Sequence, residues 1–253
     1  MKILVTFAIE HEFTSWRRRE NFVPVAAGSF PAFEARYNQS IVRVILTGIG
    51  SENAQRAVRA ALPWQPNICI CAGFAGGLRP GLEIGDVVAA ESARDARTQR
   101  TVFADAKLLS VAEANGARRV ETLCAADAVI ATADDKRRMG QIADAVDMES
   151  FAVLNEAHEQ GIAGIAIRAI SDVADEDLPL DLTQVLDARG RVRVGKLLGR
   201  VLRAPHRIAA LIRLGRASQK SAAALAAFLD TYVNELGAVK PLILERQASV
   251  ATA

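Results

Sequence analysis

Three segments of this sequence place carboxylates directly after an apolar run, where they could do acid–base chemistry. They are Ala8-Ile-Glu-His-Glu12, Val146-Asp-Met-Glu-Ser150, and the run from Ile165 in which Arg168 precedes Ser171-Asp172. The run from Ile165, apolar except for Arg168, reads as a buried parallel strand. In an open α/β sheet, ligands bind outside the carboxyl ends of the strands. An aspartate leaving a hydrophobic strand there is placed to have a raised pKa, because burial penalises its charged form, and a general acid needs that. A fourth segment, Gly73-Phe-Ala-Gly-Gly77, reads as a glycine-rich turn after a strand.

Each feature has a plain structural explanation when taken alone. Glu10 and Glu12 suit a helix N-terminus, as does Glu149. Asp172 suits an N-cap. The glycines suit tight helix–strand packing. Only for Asp172 does position alone favour chemistry.

The elements that must position these residues alternate. Strand-like runs cover Ile3–Phe7, Ile41–Thr47, Ile68–Ala72, Gly85–Ala90, Glu121–Ala125, Ala145–Met148 and the Ile165 segment. Helix-like runs cover Thr14–Asn21, a segment capped by Ser51 and running to Leu62, Lys107–Asn115, Asp134–Ile142 and Glu149–Gln160. This alternation predicts an α/β fold with three layers, α/β/α, around a central mixed sheet.

Composition narrows the function classes. Hydrophobic residues make up 51% of the 253 and aromatics 5%, so a large core must be built mostly from aliphatic side chains. A net charge of +2 gives no reason to expect a nucleic-acid partner. Three cysteines, Cys69, Cys71 and Cys124, argue against a disulfide framework and fit a reducing cytosol. The opening apolar run is too short for a secretory signal, and none is long enough to span a bilayer. His11, His158 and His206 are scattered and Cys69 and Cys71 alternate on a strand, so no metal site is expected.

The C-terminal part differs. Asp181–Leu236 reads as two or three helices broken near Pro205, and no acidic residue occurs from Arg189 to Leu229. Leu197, Leu198, Val201, Leu202, Ile208, Leu211, Ile212 and Leu214 recur at helical spacing among ten Arg and Lys residues. Such a basic amphipathic extension, about residues 189–236, either packs its apolar face on the sheet or lies on an anionic membrane surface. Residues 1–236 read as one domain and 237–253 as a flexible tail.

Taken in order, the motifs resemble those of the purine nucleoside phosphorylase and nucleosidase superfamily, and most closely its methylthioadenosine/S-adenosylhomocysteine nucleosidases. The matching segments are Ala8–Glu12, Thr47-Gly-Ile-Gly50, Ala72-Gly-Phe-Ala-Gly-Gly-Leu78, Gly85-Asp-Val-Val88, Val146-Asp-Met-Glu149 and Arg168-Ala-Ile-Ser-Asp-Val-Ala-Asp175. They cover about three quarters of the chain. The resemblance implies a phosphorylase-like fold that cleaves the N-glycosidic bond of a purine nucleoside without cofactor or metal, in a homo-oligomer.

It also implies roles. Asp172 is the acid that protonates the leaving purine at N7, with Ser171 orienting it. Glu149 grips the ribose hydroxyls and Met148 packs on the sugar face. Glu12 activates the attacking water, and Arg168 is a cation beside it. Phe74, Ala75, Gly76, Val129 and Ile130 match substrate-binding positions. Phe74 departs from the family, which usually has a small hydroxyl residue there to hold the water or phosphate. Val129 stands where an aromatic often stacks on the base, and the segment Ala90–Ala106 is short, which leaves the 5′ pocket more open.

The basic tail is similar to that of hopanoid-associated phosphorylases. Three readings follow: hydrolysis of a 5′-modified adenine nucleoside, phosphorolytic release of adenine from adenosylhopane with phosphate as co-substrate, and a non-catalytic nucleoside-binding or membrane-surface protein. A phosphorylase needs a cationic phosphate cradle, for which Arg17, Arg18, Arg19 and Arg43 are candidates. The expected location is cytoplasmic, with peripheral contact at the inner membrane face if the tail binds lipid.

Overall fold

The computed structural model describes residues 1–178 and 208–238. Ten strands form one mixed sheet: β1 (Lys2–Phe7), β2 (Val23–Val25), β3 (Ala32–Tyr37), β4 (Ser40–Leu46), β5 (Ile68–Gly77), β6 (Val87–Asp95), β7 (Thr101–Phe103), β8 (Arg118–Ala125), β9 (Ala145–Asp147) and β10 (Ala163–Asp172). The order is β10-β6-β8-β9-β5-β1-β4-β3-β2, with β7 on β6. A further pairing of β5 with β10 closes β5, β10, β6, β8 and β9 into a ring.

Period-two alternation sorts the strand residues onto two faces. Ile3, Val5, Ile68 and Ile70 join one core, with Phe13 and Trp16 of helix α1 (Glu10–Arg19) and Leu108 of α3 (Ala106–Ala114). The same core takes Leu225, Leu229, Tyr232 and Leu236 of α6 (Ile208–Ala238). Leu4, Cys69 and Cys71 join the other, with Ala54 and Val58 of α2 (Ser51–Ala61) and Val153 and Ala157 of α5 (Ser150–Glu159). The expected three layers are therefore present. A short helix, α4 (Ala133–Met139), follows β8.

The C-terminal part of α6 packs on the sheet, as one of the two readings of the basic segment required. Its anchor is Asp230, which accepts hydrogen bonds from Trp16 Nε1 at 2.7 Å and the Tyr37 hydroxyl at 3.2 Å, and pairs with Arg19. Ser221 Oγ also donates to the Ile170 carbonyl of β10 at 2.7 Å. The expected break near Pro205, the basic residues from Arg189 to Arg207 and the tail beyond residue 238 lie outside the described residues.

Several boundaries differ from the sequence reading. Helix α1 begins at Glu10 rather than Thr14, with Glu10 and Glu12 in its first turn and Arg17, Arg18 and Arg19 in its last, charges that complement the helix dipole. Gly50, not Ser51, is the N-cap of α2; the Ser51 hydroxyl instead donates to the Met148 carbonyl at 3.1 Å. The short β2 and β3 had no counterpart in the reading. The expected turn Gly73–Gly77 is the second half of β5.

That extension of β5 shapes the site. Along one edge β5 pairs with β10 from Ile68 to Gly76. Along the other, Ile68–Cys71 pair with β1, and only Gly76 and Gly77 pair with β9. Among the described residues, this edge has no strand partner between Cys71 and Gly76, so β1 and β9 diverge there and leave backbone groups free for side chains.

Candidate active site

A cavity of about 380 Å³ sits at this split, above the carboxyl ends of β1, β5, β9 and β10. Glu12, Phe74, Ala75, Gly76, Val129, Ile130, Met148, Glu149, Ser171 and Asp172 all line it. Of the residues given catalytic or substrate-binding roles, Arg168 does not line it.

Glu12 is fixed by three backbone donors. Its Oε2 accepts the N–H groups of Ala8 at 3.0 Å and Ile9 at 3.1 Å, which link β1 to α1, and its Oε1 accepts the Phe74 N–H at 2.8 Å in the stretch of β5 between its β1 and β9 pairings. Burial pushes its pKa up, against the opposing pull of the Arg168 guanidinium and the three N–H groups. A carboxylate oriented this firmly, with a raised pKa, suits a base that takes a proton from water.

Arg168 is 1% exposed and lies behind the cavity wall. Its Nη2 pairs with Asp147 and lies 3.9 Å from Glu149 Oε2, and its Nη1 donates to the Ala72 carbonyl at 3.3 Å. Arg168 is thus a cation near Glu12, as expected, and its charge pulls the Glu12 pKa down, but its ion-pair partner is Asp147 and it does not line the cavity. Asp147 is itself held by the Ser150 hydroxyl at 2.8 Å and the Ser150 N–H at 3.1 Å. Gly73 makes room for this packing. A Cβ there would fall 2.3 Å from Arg168 Nη1 and 2.7 Å from Glu12 Oε1.

Glu149 Oε1 accepts the Gly50 N–H at 2.8 Å, at the start of α2. Burial pushes its pKa up to about 7; Arg168 opposes this, and Asp147 and Glu12 add to it. Its neighbour Met148 contributes to the cavity wall.

Asp172 receives hydrogen bonds on both oxygens. The Ser171 hydroxyl donates to Oδ1 at 2.7 Å, and Lys136 Nζ lies 2.6 Å from Oδ2. The structure adds to the expected setting of Asp172 a buried counter-charge, Lys136, at one carboxyl oxygen. Lys136 is 0% exposed and extends from α4 beneath the loop that follows β10. No sequence signal marked it, because it sits in the charged run Asp134-Asp-Lys-Arg-Arg138.

A match to the family model described as the phosphorylase superfamily spans residues 2–203. The chain belongs to this superfamily. Solved structures share the fold at low identity. A futalosine hydrolase mutant of Helicobacter pylori aligns with a TM-score of 0.73 at 18% identity, covering 93% of this chain and 100% of that one. The 5′-methylthioadenosine/S-adenosylhomocysteine nucleosidase of H. pylori, with butyl-thio-DADMe-Immucillin-A, gives 0.74 at 18% identity over 93% and 99%. The corresponding nucleosidase of Neisseria meningitidis gives 0.72 at 22% identity over 93% and 99%.

Within this superfamily fold, the remaining cavity wall is mostly apolar, with Asp147 and Ser218 as polar exceptions. Phe74 meets the His11 ring edge-on at 6.2 Å, and Ile9, Leu178 and Leu214 line the same space, the last from α6. None of the four candidate arginines lines the cavity. Arg17 pairs with Glu10, Arg19 with Asp230 and Arg43 with Glu34, while Arg18 is exposed. Among the described residues, no three His, Cys, Asp or Glu side chains are grouped to hold a metal ion, and no helix is long and apolar enough to cross a membrane.

Proposed function

We propose that this protein hydrolyses the N-glycosidic bond of a 5′-modified adenine nucleoside and releases free adenine. The observation that carries the reading is one cavity lined by Asp172 with Ser171, by Glu149 and by Glu12. Cleavage passes through an oxocarbenium-like sugar. As the C1′–N9 bond breaks, its electron pair goes to the base, and Asp172 gives a proton to N7 so that the base leaves neutral. Water forms the new bond to C1′ and its proton passes to Glu12. Glu149 accepts hydrogen bonds from the ribose hydroxyls, since a carboxylate offers several lone pairs at once. Met148 covers the apolar face of the sugar.

Water, rather than phosphate, is favoured by two observations. The four candidate arginines are turned to other partners or to solvent, and an aromatic ring, Phe74, stands on the wall beside Glu12. The apolar side chains of Ile9, Leu178 and Leu214 support a second reading of the 5′ substituent as bulky and lipid-linked, as in adenosylhopane.

The test is to incubate the protein with adenosine, methylthioadenosine and a lipid-linked adenosine, with and without phosphate, and to follow free adenine. No adenine under any condition would sink the enzyme reading in favour of a non-catalytic binder. Strict dependence on phosphate would overturn hydrolysis.

A further inference from the structure

We propose that Lys136 is a positioning residue for leaving-group protonation: it fixes the Asp172 carboxyl and balances the charge that appears there when the proton departs. The inference rests on the nucleosidase reading and adds a residue to it.

The geometry around Nζ carries the argument. Lys136 is the one lysine among the described residues that is completely buried. Its Nζ meets Asp172 Oδ2 at 2.6 Å, the Val173 carbonyl at 2.8 Å and the Glu176 carbonyl at 3.0 Å. Three acceptors around one nitrogen match the three N–H donors of an ammonium; a neutral amine has only two. The same loop is tied to the start of α4 by the Ala133 N–H on Asp177 at 2.7 Å and by the Leu178 N–H on the Ala131 carbonyl at 2.8 Å. Asp172 is therefore aimed by a loop clamped to α4, with Lys136 at the centre of the clamp. The loop geometry alone needs only hydrogen bonds to the two carbonyls, yet the shortest of the three contacts is to an oxygen of the Asp172 carboxyl group.

The chemical consequence follows from electron balance. When the C1′–N9 pair moves onto the base and N7 takes the proton of Asp172, a carboxylate is left on a half-buried side chain. Charge that develops in a transition state is best met by a donor already in position. Lys136 is that donor, bound to Oδ2 before the reaction starts. Solvent reprotonates Asp172 after the base leaves.

A leaving group that needs no protonation separates this role from a structural one. Lys136→Met is compared with wild type on methylthioadenosine and on p-nitrophenyl β-D-ribofuranoside, whose phenolate departs unaided. The expected result is a loss on the order of 10²-fold in kcat on the purine substrate, with a small change in KM and near-wild-type turnover of the p-nitrophenyl riboside. Lys136→Arg should restore part of the purine activity. Lys136→Gln keeps hydrogen bonds to the loop without the charge; it carries the test if the Met variant does not fold and should show the same selective loss. Equal losses on both substrates, or unchanged purine turnover, would overturn the proposal. If wild type releases no adenine but cleaves nothing else either, the nucleosidase reading fails first, and that outcome is distinct.

Discussion

Asp147, rather than Glu12, is the carboxylate that neutralises Arg168. The pair is fully buried beneath the cavity floor, and Ser150 holds Asp147 from the other side. Breaking one partner of such a pair leaves a buried charge uncompensated, which typically costs about 3–5 kcal/mol. Arg168→Met should reach that range, because Asp147, Glu149 and Glu12 all lose their shared cation. Asp147→Asn should cost less, since Arg168 keeps Glu149 within 3.9 Å. Urea unfolding of both variants measures this; an unchanged midpoint for Arg168→Met would refute the structural role of the pair.

Gly73 is predicted to tolerate no side chain. Its φ is +151° and an added Cβ would lie 2.3 Å from Arg168 Nη1 and 2.7 Å from Glu12 Oε1. Neither atom can retreat, since Arg168 is held by Asp147 and Glu12 by three N–H groups. Displacing Glu12 by about 1 Å is enough to cost on the order of 10²-fold in rate, so Gly73→Ala should lose at least that in adenine release. Gly161→Ala is the control, with φ +68° and open space around it. It should pay only backbone strain, about 1 kcal/mol, and keep its rate.

The parts of the site legible in the sequence share one property: each sits at the end of a strongly patterned strand. Glu12, Glu149 and Asp172 follow apolar runs, and the parallel pairing of β1, β5 and β10 brings such ends to one side of the sheet. Lys136 was not legible because Asp134-Asp-Lys-Arg-Arg138 reads as a solvated helix face, and the burial of its third residue depends on a loop forty residues away. Asp147 was hidden inside a motif whose neighbours carried the expected roles. Gly73–Gly77 reads as a turn yet continues β5, because glycine punctuates turns as well as strands approached closely by side chains. β3, which lies between β4 and the short edge strand β2, is hard to read because Ala-Phe-Glu-Ala-Arg-Tyr shows only a broken alternation of buried and exposed positions.

Stability should fall as pH rises through neutrality, and Glu149 should be a main cause. In the unfolded chain its carboxyl loses its proton near 4.5, whereas in the folded site burial pushes that event up to about 7. Between these values the native state holds a proton that the unfolded state does not. This contribution is therefore fully present below about pH 4.5 and is lost as pH rises through 7, by roughly 3 kcal/mol at 1.4 kcal/mol per unit. Burial shifts Glu12 and Asp147 in the same direction. Glu149→Gln should unfold at a higher temperature than wild type at pH 8, show a shallower dependence between pH 5 and 8, and lose adenine release. A melting temperature at pH 8 at or below that of wild type would contradict this assignment.

The last prediction concerns how α6 reaches the cavity. Leu214 and Ser218 line it, yet the tight anchor of the helix is Asp230, more than three turns further along. Asp230 satisfies the indole N–H of the fully buried Trp16 and the hydroxyl of Tyr37, both in the aromatic cluster under α1. Asp230→Ala leaves these donors without their acceptor, a cost of about 1–3 kcal/mol for each buried group left unpaired. Because the helix is continuous from Ile208 to Ala238, a shift at the anchor is carried to the cavity wall. The expected outcome is a lowered melting temperature together with a raised KM and a nearly unchanged kcat, since Glu12 and Asp172 are held by other contacts. Asp230→Asn, which keeps an acceptor oxygen, should recover most of both losses. If KM stays at the wild-type value in a folded Asp230→Ala variant, then α6 supplies stability to the sheet but does not set the fit of the substrate.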